Sequence, residues 1–94
     1  MRITFDPAKD DSNQAKHGLS LVLAVELEWD AQLCRPDVRR DYGELREVGY
    51  APIGQRLYRV VFVQRHDEMR VISLRKANRR EVLDYARHDP DQDR

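Results

Sequence analysis

The stretch at positions 69–80, MRVISLRKANRR, joins a strand pattern to a helix start. Apolar and polar residues alternate from Arg70 to Arg75, which is typical of a β-strand. Asn78 is followed three positions later by Glu81, the spacing of a capping box that opens a helix. Cations stand at positions 75, 76, 79 and 80. The stretch therefore predicts a strand that delivers positive charge to the start of a helix.

The segments before this strand show the same alternation. We predict strands at about 44–51, 56–65 and 69–76, because the separators PIG and HDE are short enough for antiparallel hairpins. In the central strand one face is apolar and contains Phe62. The other face is mixed and contains Arg59. The strands form a meander, and we expect the helices to cover its apolar face.

The N-terminal third has the signals of two helices. Asp6 followed by Pro7 predicts the start of a helix that ends near His17, where Gly18 is the stop. Ser20 predicts the cap of a second helix, formed by the apolar run that follows it.

Two further elements complete the expected architecture. A short strand is predicted near residues 32–35, and a last helix at about 79–87. The predicted fold class is α+β: two N-terminal helices, an antiparallel meander of three to four strands and a C-terminal helix. Residues 1–94 form one domain, in which about 88–94 are a frayed tail.

Composition excludes several classes of protein. No run approaches the twenty or so apolar residues that span a bilayer, and the N-terminus lacks the apolar segment of a signal peptide, which predicts a cytoplasmic protein with no membrane partner. The single cysteine, Cys34, excludes an internal disulfide and is expected to be a semi-buried hydrophobic residue. The three histidines are not spaced as ligands, so we expect no metal site and no cofactor.

Charge is distributed unevenly along the chain. The formal net charge is zero, but residues 35–80 contain 12 Lys and Arg against 6 Asp and Glu. Residues 1–34 contain 3 against 6, and residues 81–94 contain 2 against 5. A basic middle between two acidic ends is suited to a polyanion or to an acidic partner.

Several motifs occur in one order along nearly the whole chain: FDPAK, then KHG, then YGELR, then RVISLRKANRREVLDY. In this order and spacing they resemble the BrnT family of bacterial toxins, small ribonucleases related in fold to the RelE and ParE toxins. Two features depart from the family pattern. Phe5 stands where the family usually has Trp, and the run SLVLAVELEWD is more apolar than its usual counterpart.

The resemblance implies an endoribonuclease toxin with a RelE-like fold that inhibits translation. It also implies neutralisation by a BrnA-like antitoxin, whose ribbon-helix-helix portion binds operator DNA. The toxin itself would then meet DNA only indirectly, through the antitoxin.

Metal-independent RNA cleavage proceeds by attack of the 2′-hydroxyl on the neighbouring phosphate. It requires a base, an acid and cations that stabilise the transition state. We predict Arg46 and Arg75 as phosphate clamps, because guanidinium groups grip phosphate oxygens with paired donors. His17 is a candidate acid or base, although a histidine at a helix end often only caps carbonyl groups. Glu44 is a candidate base, or a solvated partner of a nearby arginine.

Further cations are candidates for holding the RNA backbone, namely Lys16, Lys76, Arg79 and Arg80; the alternative is that they pair with nearby acids or with the antitoxin. Tyr85 is a candidate for stacking on a base, although its helical spacing with Val82 favours core packing. The alternative function is a non-catalytic module that binds nucleic acid or an acidic partner, and the near-neutral pI of 6.8 is compatible with it.

Overall fold

The computed structural model describes residues 2–38 and 43–88, and the predicted tail lies outside them except for His88. The strands are β1 (Arg2–Thr4), β2 (Leu33–Pro36), β3 (Glu47–Ile53), β4 (Arg56–Arg65) and β5 (Glu68–Lys76). The α-helices are α1 (Pro7–His17) and α2 (Arg79–Arg87), and 3₁₀ segments span Leu21–Glu26 and Trp29–Ala31.

All five strands belong to one sheet, in the spatial order β1-β5-β4-β3-β2. Strands β2 to β5 are antiparallel neighbours, so the predicted meander and the short strand β2 are confirmed. The prediction of three to four strands is wrong, because β1 pairs in parallel with the start of β5. With three residues, β1 is too short to show an alternation pattern.

Helix α1 has the predicted bounds and caps. The Asp6 carboxylate accepts a hydrogen bond from the Ala8 N–H, and Gly18 ends the helix in the left-handed conformation at φ 70°. Asn13, buried on α1, fastens the helix to β5: its side-chain amide donates to the Leu74 carbonyl (2.8 Å), and its side-chain oxygen accepts from the Leu74 N–H (2.9 Å). The Asn13 side chain thus pairs with the edge of β5 as a neighbouring strand would.

The prediction of a second N-terminal α-helix is wrong, because residues 21–26 and 29–31 are 3₁₀ turns. Ser20 caps the first turn as expected, accepting a hydrogen bond from the Val22 N–H. A 3₁₀ helix has three residues per turn, so residues three apart share a line. That line here consists of Leu21, Ala24 and Leu27, all of which are buried.

The two faces of the sheet have separate hydrophobic clusters. The larger cluster includes Val60 and Phe62 and lies under the 3₁₀ segments, with Trp29 edge-on to Phe62 at 5.4 Å between ring centroids. The smaller includes Tyr50 and Val61 and is packed against Tyr85 of α2. The expectation that the helices cover the apolar face is wrong for α2, which lies on the mixed face.

A β-bulge in β5 decides which face its last residues occupy. Val71 is opposite Phe62 and Ser73 is opposite Val61, so Ile72 is an additional residue in the ladder. Without it, the alternation from Val71 would place Arg75 on the larger cluster's face. With it, Arg75 lies on the mixed face under α2.

Candidate functional site

Arginines of strands β2, β4 and β5 lie on the mixed face of the sheet, with β3 between β2 and β4. The register places Arg59 directly opposite Arg75 and Arg70 opposite Val63. Arg65 shares the face by alternation along β4, and Arg35 of β2 lies opposite Val48. We call this surface, defined by Arg35, Arg59, Arg65, Arg70 and Arg75, the arginine face. Its charge suits a polyanion.

Glu81 of α2 lies between the two arginines that face each other. Like charges directly opposite on neighbouring strands destabilise a sheet. The Glu81 carboxylate accepts two hydrogen bonds from Arg75, at 2.8 and 2.9 Å, and lies 3.9 Å from Arg59 Nε. The hydroxyl of Tyr50 donates to the same carboxylate at 3.0 Å. One acid thus offsets two cations and fixes the Arg75 guanidinium.

The cluster is largely shielded from water, since the exposed side-chain fractions are 14% for Glu81, 13% for Arg59 and 28% for Arg75. Burial by itself raises the pKa of Glu81, but hydrogen bonds from Arg75, the Asn78 backbone and Tyr50 outweigh it and lower the pKa to about 2. Glu81 is therefore ionised throughout the physiological range.

The same carboxylate builds the start of α2. Glu81 accepts a hydrogen bond from the Asn78 N–H, and Asn78 accepts one from the Glu81 N–H, both at 2.9 Å. This is the predicted capping box, and it is confirmed. The position of Arg75 is thereby coupled to the first turn of α2.

Glu44 and Arg46 lie at the other end of the arginine face. The Glu44 carboxylate accepts a short hydrogen bond from Arg65, and this bond is the main reason that its pKa is lowered. Arg46 precedes β3, and its carbonyl accepts the Asp37 N–H at 2.7 Å, which continues the β2–β3 ladder. Continuing the β3–β4 register places Arg46 beside Val63, four residues along β4 from Arg59, or about 13 Å.

His17 and Lys16 lie at the open edge of β5. They line a cavity of about 170 Å³ together with Lys9 and Ser73. Ser73 is two residues from Arg75 along β5, or about 7 Å. The structure therefore places His17 nearer to Arg75 than to Glu44's end of the sheet.

Comparison with known protein families shows which family this chain belongs to. Residues 5–81 match the family described as ribonuclease toxin, BrnT, of type II toxin–antitoxin systems. The chain belongs to the BrnT family. It is accordingly a ribonuclease toxin with an antitoxin as its partner, and the matched range includes both Arg75 and Glu81. A comparison with curated proteins found no match.

The remaining RNA-binding candidates of this BrnT chain lie on or near α2. Lys76, Arg79 and Arg80 are exposed. Tyr85 is half-buried in the smaller hydrophobic cluster, and its hydroxyl donates to the Ala31 carbonyl at 2.6 Å. This packing agrees with the alternative that Tyr85 belongs to the core. The Tyr85 side chain also lines a cavity.

Sequence reasoning missed the roles of Arg59, Tyr50 and Glu81 in the site. Alternation along β4 placed Arg59 on the mixed face, but its cross-strand partner was not identified. Glu81 was considered as a helix signal and as one of the acids that could pair with nearby cations, but not as part of the site. The sequence signal that could have identified the cluster was the combination of Arg59 on the mixed face and Glu81 in the first turn of α2. Two arginines that face each other across neighbouring strands need an acid, and Glu81 is close in sequence to Arg75.

Within residues 2–38 and 43–88, no helix is long and apolar enough to cross a membrane. In the same part of the chain, no group of three or more His, Cys, Asp or Glu side chains is arranged to hold a metal ion. Cys34 is exposed rather than semi-buried; partial desolvation of its thiol, and then the nearby Glu47 carboxylate, raise its pKa.

Proposed function

We propose that this BrnT chain is a metal-independent endoribonuclease that binds an RNA strand along its arginine face and cleaves it by attack of a 2′-hydroxyl on the adjacent phosphate. The observation that carries the proposal is the Arg59–Glu81–Arg75 cluster. It holds two guanidinium groups side by side on a positively charged sheet face.

Arg75 is the proposed phosphate clamp at the cleaved bond. A pentavalent phosphorus transition state has more charge on its oxygens than the ground state, and fixed cationic donors stabilise that additional charge. Glu81 fixes the Arg75 guanidinium before substrate arrives, so little reorganisation is needed during the reaction. Arg59 supplies a second positive charge beside it.

Arg46 has a separate role in this proposal. Its place about 13 Å along the sheet from Arg59 suits a phosphate further along the same strand rather than the cleaved one. Lys76, Arg79 and Arg80 extend the contact with the backbone beyond the sheet, since all three are exposed near the start of α2.

Of the two candidates for proton transfer, we favour His17. The carboxylate of Glu44 is engaged by Arg65, and its lowered pKa makes it a weaker base. His17 shares a cavity with Ser73, which is two residues from Arg75 on β5. A neutral imidazole can accept the proton of the 2′-hydroxyl, and an imidazolium can donate one to the leaving oxygen.

The biological setting follows the family. We propose that cleavage inhibits translation in the cytoplasm and that a BrnA-like antitoxin neutralises the enzyme. Contact with operator DNA then occurs only through that antitoxin, and the fold is RelE-like in this proposal.

Purified wild type, Arg75→Ala and Arg56→Ala provide the test. Arg56 is a matched control, because it is an exposed arginine that alternation places on the opposite face of β4. The substrate is a single-stranded RNA, with and without 2′-deoxy substitution, in excess EDTA. We expect wild type to leave a 2′,3′-cyclic phosphate and to spare the deoxy substrate.

Arg75→Ala should reduce kcat by about 100-fold or more, and Arg56→Ala by less than about threefold. Binding of RNA by wild type without cleavage would support the non-catalytic binding module instead. Equal losses in the two variants would remove Arg75 from the site. Induction of wild type in bacteria should arrest growth and break down RNA, whereas Arg75→Ala should not.

A further inference from the structure

A cavity of about 350 Å³ opens between β2, β3 and the second half of α2, next to the Glu81 cluster. Its volume lies in the range of sites that hold small organic ligands. Tyr50 and Glu81 line the cavity and also belong to the cluster around Arg75. The cavity is therefore continuous with the proposed phosphate clamp, although no predicted catalytic residue lines it.

Aromatic and apolar side chains form much of the wall. Tyr50 is held in place by its hydrogen bond to Glu81, and Tyr85 by its hydrogen bond to the Ala31 carbonyl. Leu33 of β2 adds an apolar contact. Fixed rings beside an apolar surface suit a flat, unstacked base, which single-stranded RNA readily presents.

Two charged groups at the cavity can read the edge of such a base. The guanidinium of Arg35 lies 6.0 Å from the centre of the Tyr50 ring and supplies hydrogen-bond donors. Asp84 of α2 supplies a carboxylate, which accepts hydrogen bonds. The other carboxylate, that of Glu81, is already engaged by Arg75, Asn78 and Tyr50. Asp84 makes only a long, exposed ion pair with Arg87, at 3.9 Å, so it is the carboxylate more available to a ligand.

We propose that this cavity binds one base of the RNA substrate, with a preference for guanine, and thereby sets the sequence at which the strand is cut. This inference rests on the proposed ribonuclease site. Guanine presents two N–H donor groups on its Watson–Crick edge, which match the carboxylate of Asp84. Its O6 and N7 are acceptors and match the guanidinium of Arg35.

No other base satisfies both charged groups equally well. Adenine and cytosine offer an amino donor but lack the adjacent ring N–H, and uracil has one N–H between two carbonyl groups. The position also fits the chemistry, because Glu81 touches both the cavity and Arg75. A nucleotide whose base occupies the cavity has its ribose and phosphate next to the clamp.

Mapping of cleavage junctions tests the preference. Wild type, Asp84→Asn and Asp11→Asn would each digest a pool of random-sequence RNA, and the junctions would be sequenced. Asp11 is a matched control, because it is an exposed aspartate on a helix away from the cavity. We expect guanine to be enriched at one position beside the cut by wild type and by Asp11→Asn.

Asp84→Asn should lose at least about fivefold of that enrichment, the lower limit for losing a paired hydrogen-bond contact to a base. Cleavage with no base preference by wild type, or with the same preference in Asp84→Asn, would overturn the proposal and leave the ribonuclease assignment intact.

A titration with nucleotides tests binding in the cavity independently of RNA cleavage. In ¹H–¹⁵N spectra of wild type, GMP should shift the amide signals of residues 33–35 and 84–85 at lower concentration than AMP. Equal shifts with GMP and AMP, or none, would contradict base recognition. If wild type cleaves no RNA, the ribonuclease proposal fails, but the nucleotide titration still decides whether the cavity binds a base.

Discussion

Replacing Glu81 by Gln tests whether one buried carboxylate holds the site together. Gln has nearly the same shape and can still serve at the third position of a capping box, so the change removes mainly the charge. The pKa of about 2, against an ordinary 4.5, corresponds to roughly 3 kcal/mol of stability supplied by the ionised form at neutral pH. We expect Glu81→Gln to lower the free energy of unfolding by about that amount at pH 7.

The cost should depend on pH in a defined direction. A group whose pKa is lowered by folding stabilises the protein above its unfolded pKa, and this stabilisation is lost as pH falls through the folded pKa. For Glu81 the window is from about pH 4.5 down to about pH 2. The cost of Glu81→Gln should therefore fall to roughly 1.5 kcal/mol at pH 3 and approach zero below pH 2.

The assay is urea denaturation of both proteins at pH 7 and pH 3, followed by far-ultraviolet circular dichroism. Glu26→Gln is the control, since Glu26 is an exposed carboxylate in the 3₁₀ segment that covers the other sheet face. We expect the control to change stability by less than about 0.5 kcal/mol. A cost of Glu81→Gln that is equal at both pH values, or no larger than the control, would refute the reasoning.

Three further changes have expected outcomes. Asn13→Ala removes the side-chain hydrogen bonds to both backbone groups of Leu74. It should lower the free energy of unfolding, measured by urea denaturation, by roughly 2–4 kcal/mol. A loss below about 1 kcal/mol would contradict the strand-like pairing. Gly49→Ala places a Cβ 2.8 Å from Gln32 Oε1, which can swing away, but also 3.2 Å from Phe62 and 3.3 Å from Val60, which are buried. It should therefore lower the unfolding free energy by about 1–3 kcal/mol in the same assay; an unchanged midpoint would contradict tight packing around Gly49. Because the pKa of the Cys34 thiol is raised, iodoacetamide should modify it more slowly at pH 7.5 than it modifies glutathione; an equal or faster rate would contradict the raised pKa.

Local signals in the sequence were sufficient for both α-helices. The caps at Asp6 and Gly18 fixed α1, and the pair Asn78 and Glu81 fixed the start of α2. These predictions succeeded because capping depends on hydrogen bonds within a few residues of the helix end. Strand β4 was equally easy to predict from the sequence, because its alternation extends over ten residues and the turns on both sides are short.

Residues 21–31 could not be predicted from the same kind of signal. A continuous apolar run fits an α-helix and a 3₁₀ segment equally well. Tertiary packing decides between them, because the sheet offers contacts to Leu21, Ala24 and Leu27 at a spacing of three. Val22 and Val25 remain exposed as a consequence, which no hydrophobicity pattern could have indicated.

The position of Arg75 in the site could not be predicted from a pattern of strict alternation. Strict alternation places Arg75 on the same face as Val71, away from Arg59. The bulge at Ile72 reverses this, so that Arg75 lies opposite Arg59 and within reach of Glu81. An arginine pair of this kind is unfavourable in an uninterrupted sheet without a neutralising acid. The bulge and the capping glutamate therefore depend on each other: the bulge turns Arg75 to the mixed face, and Glu81 makes that placement stable.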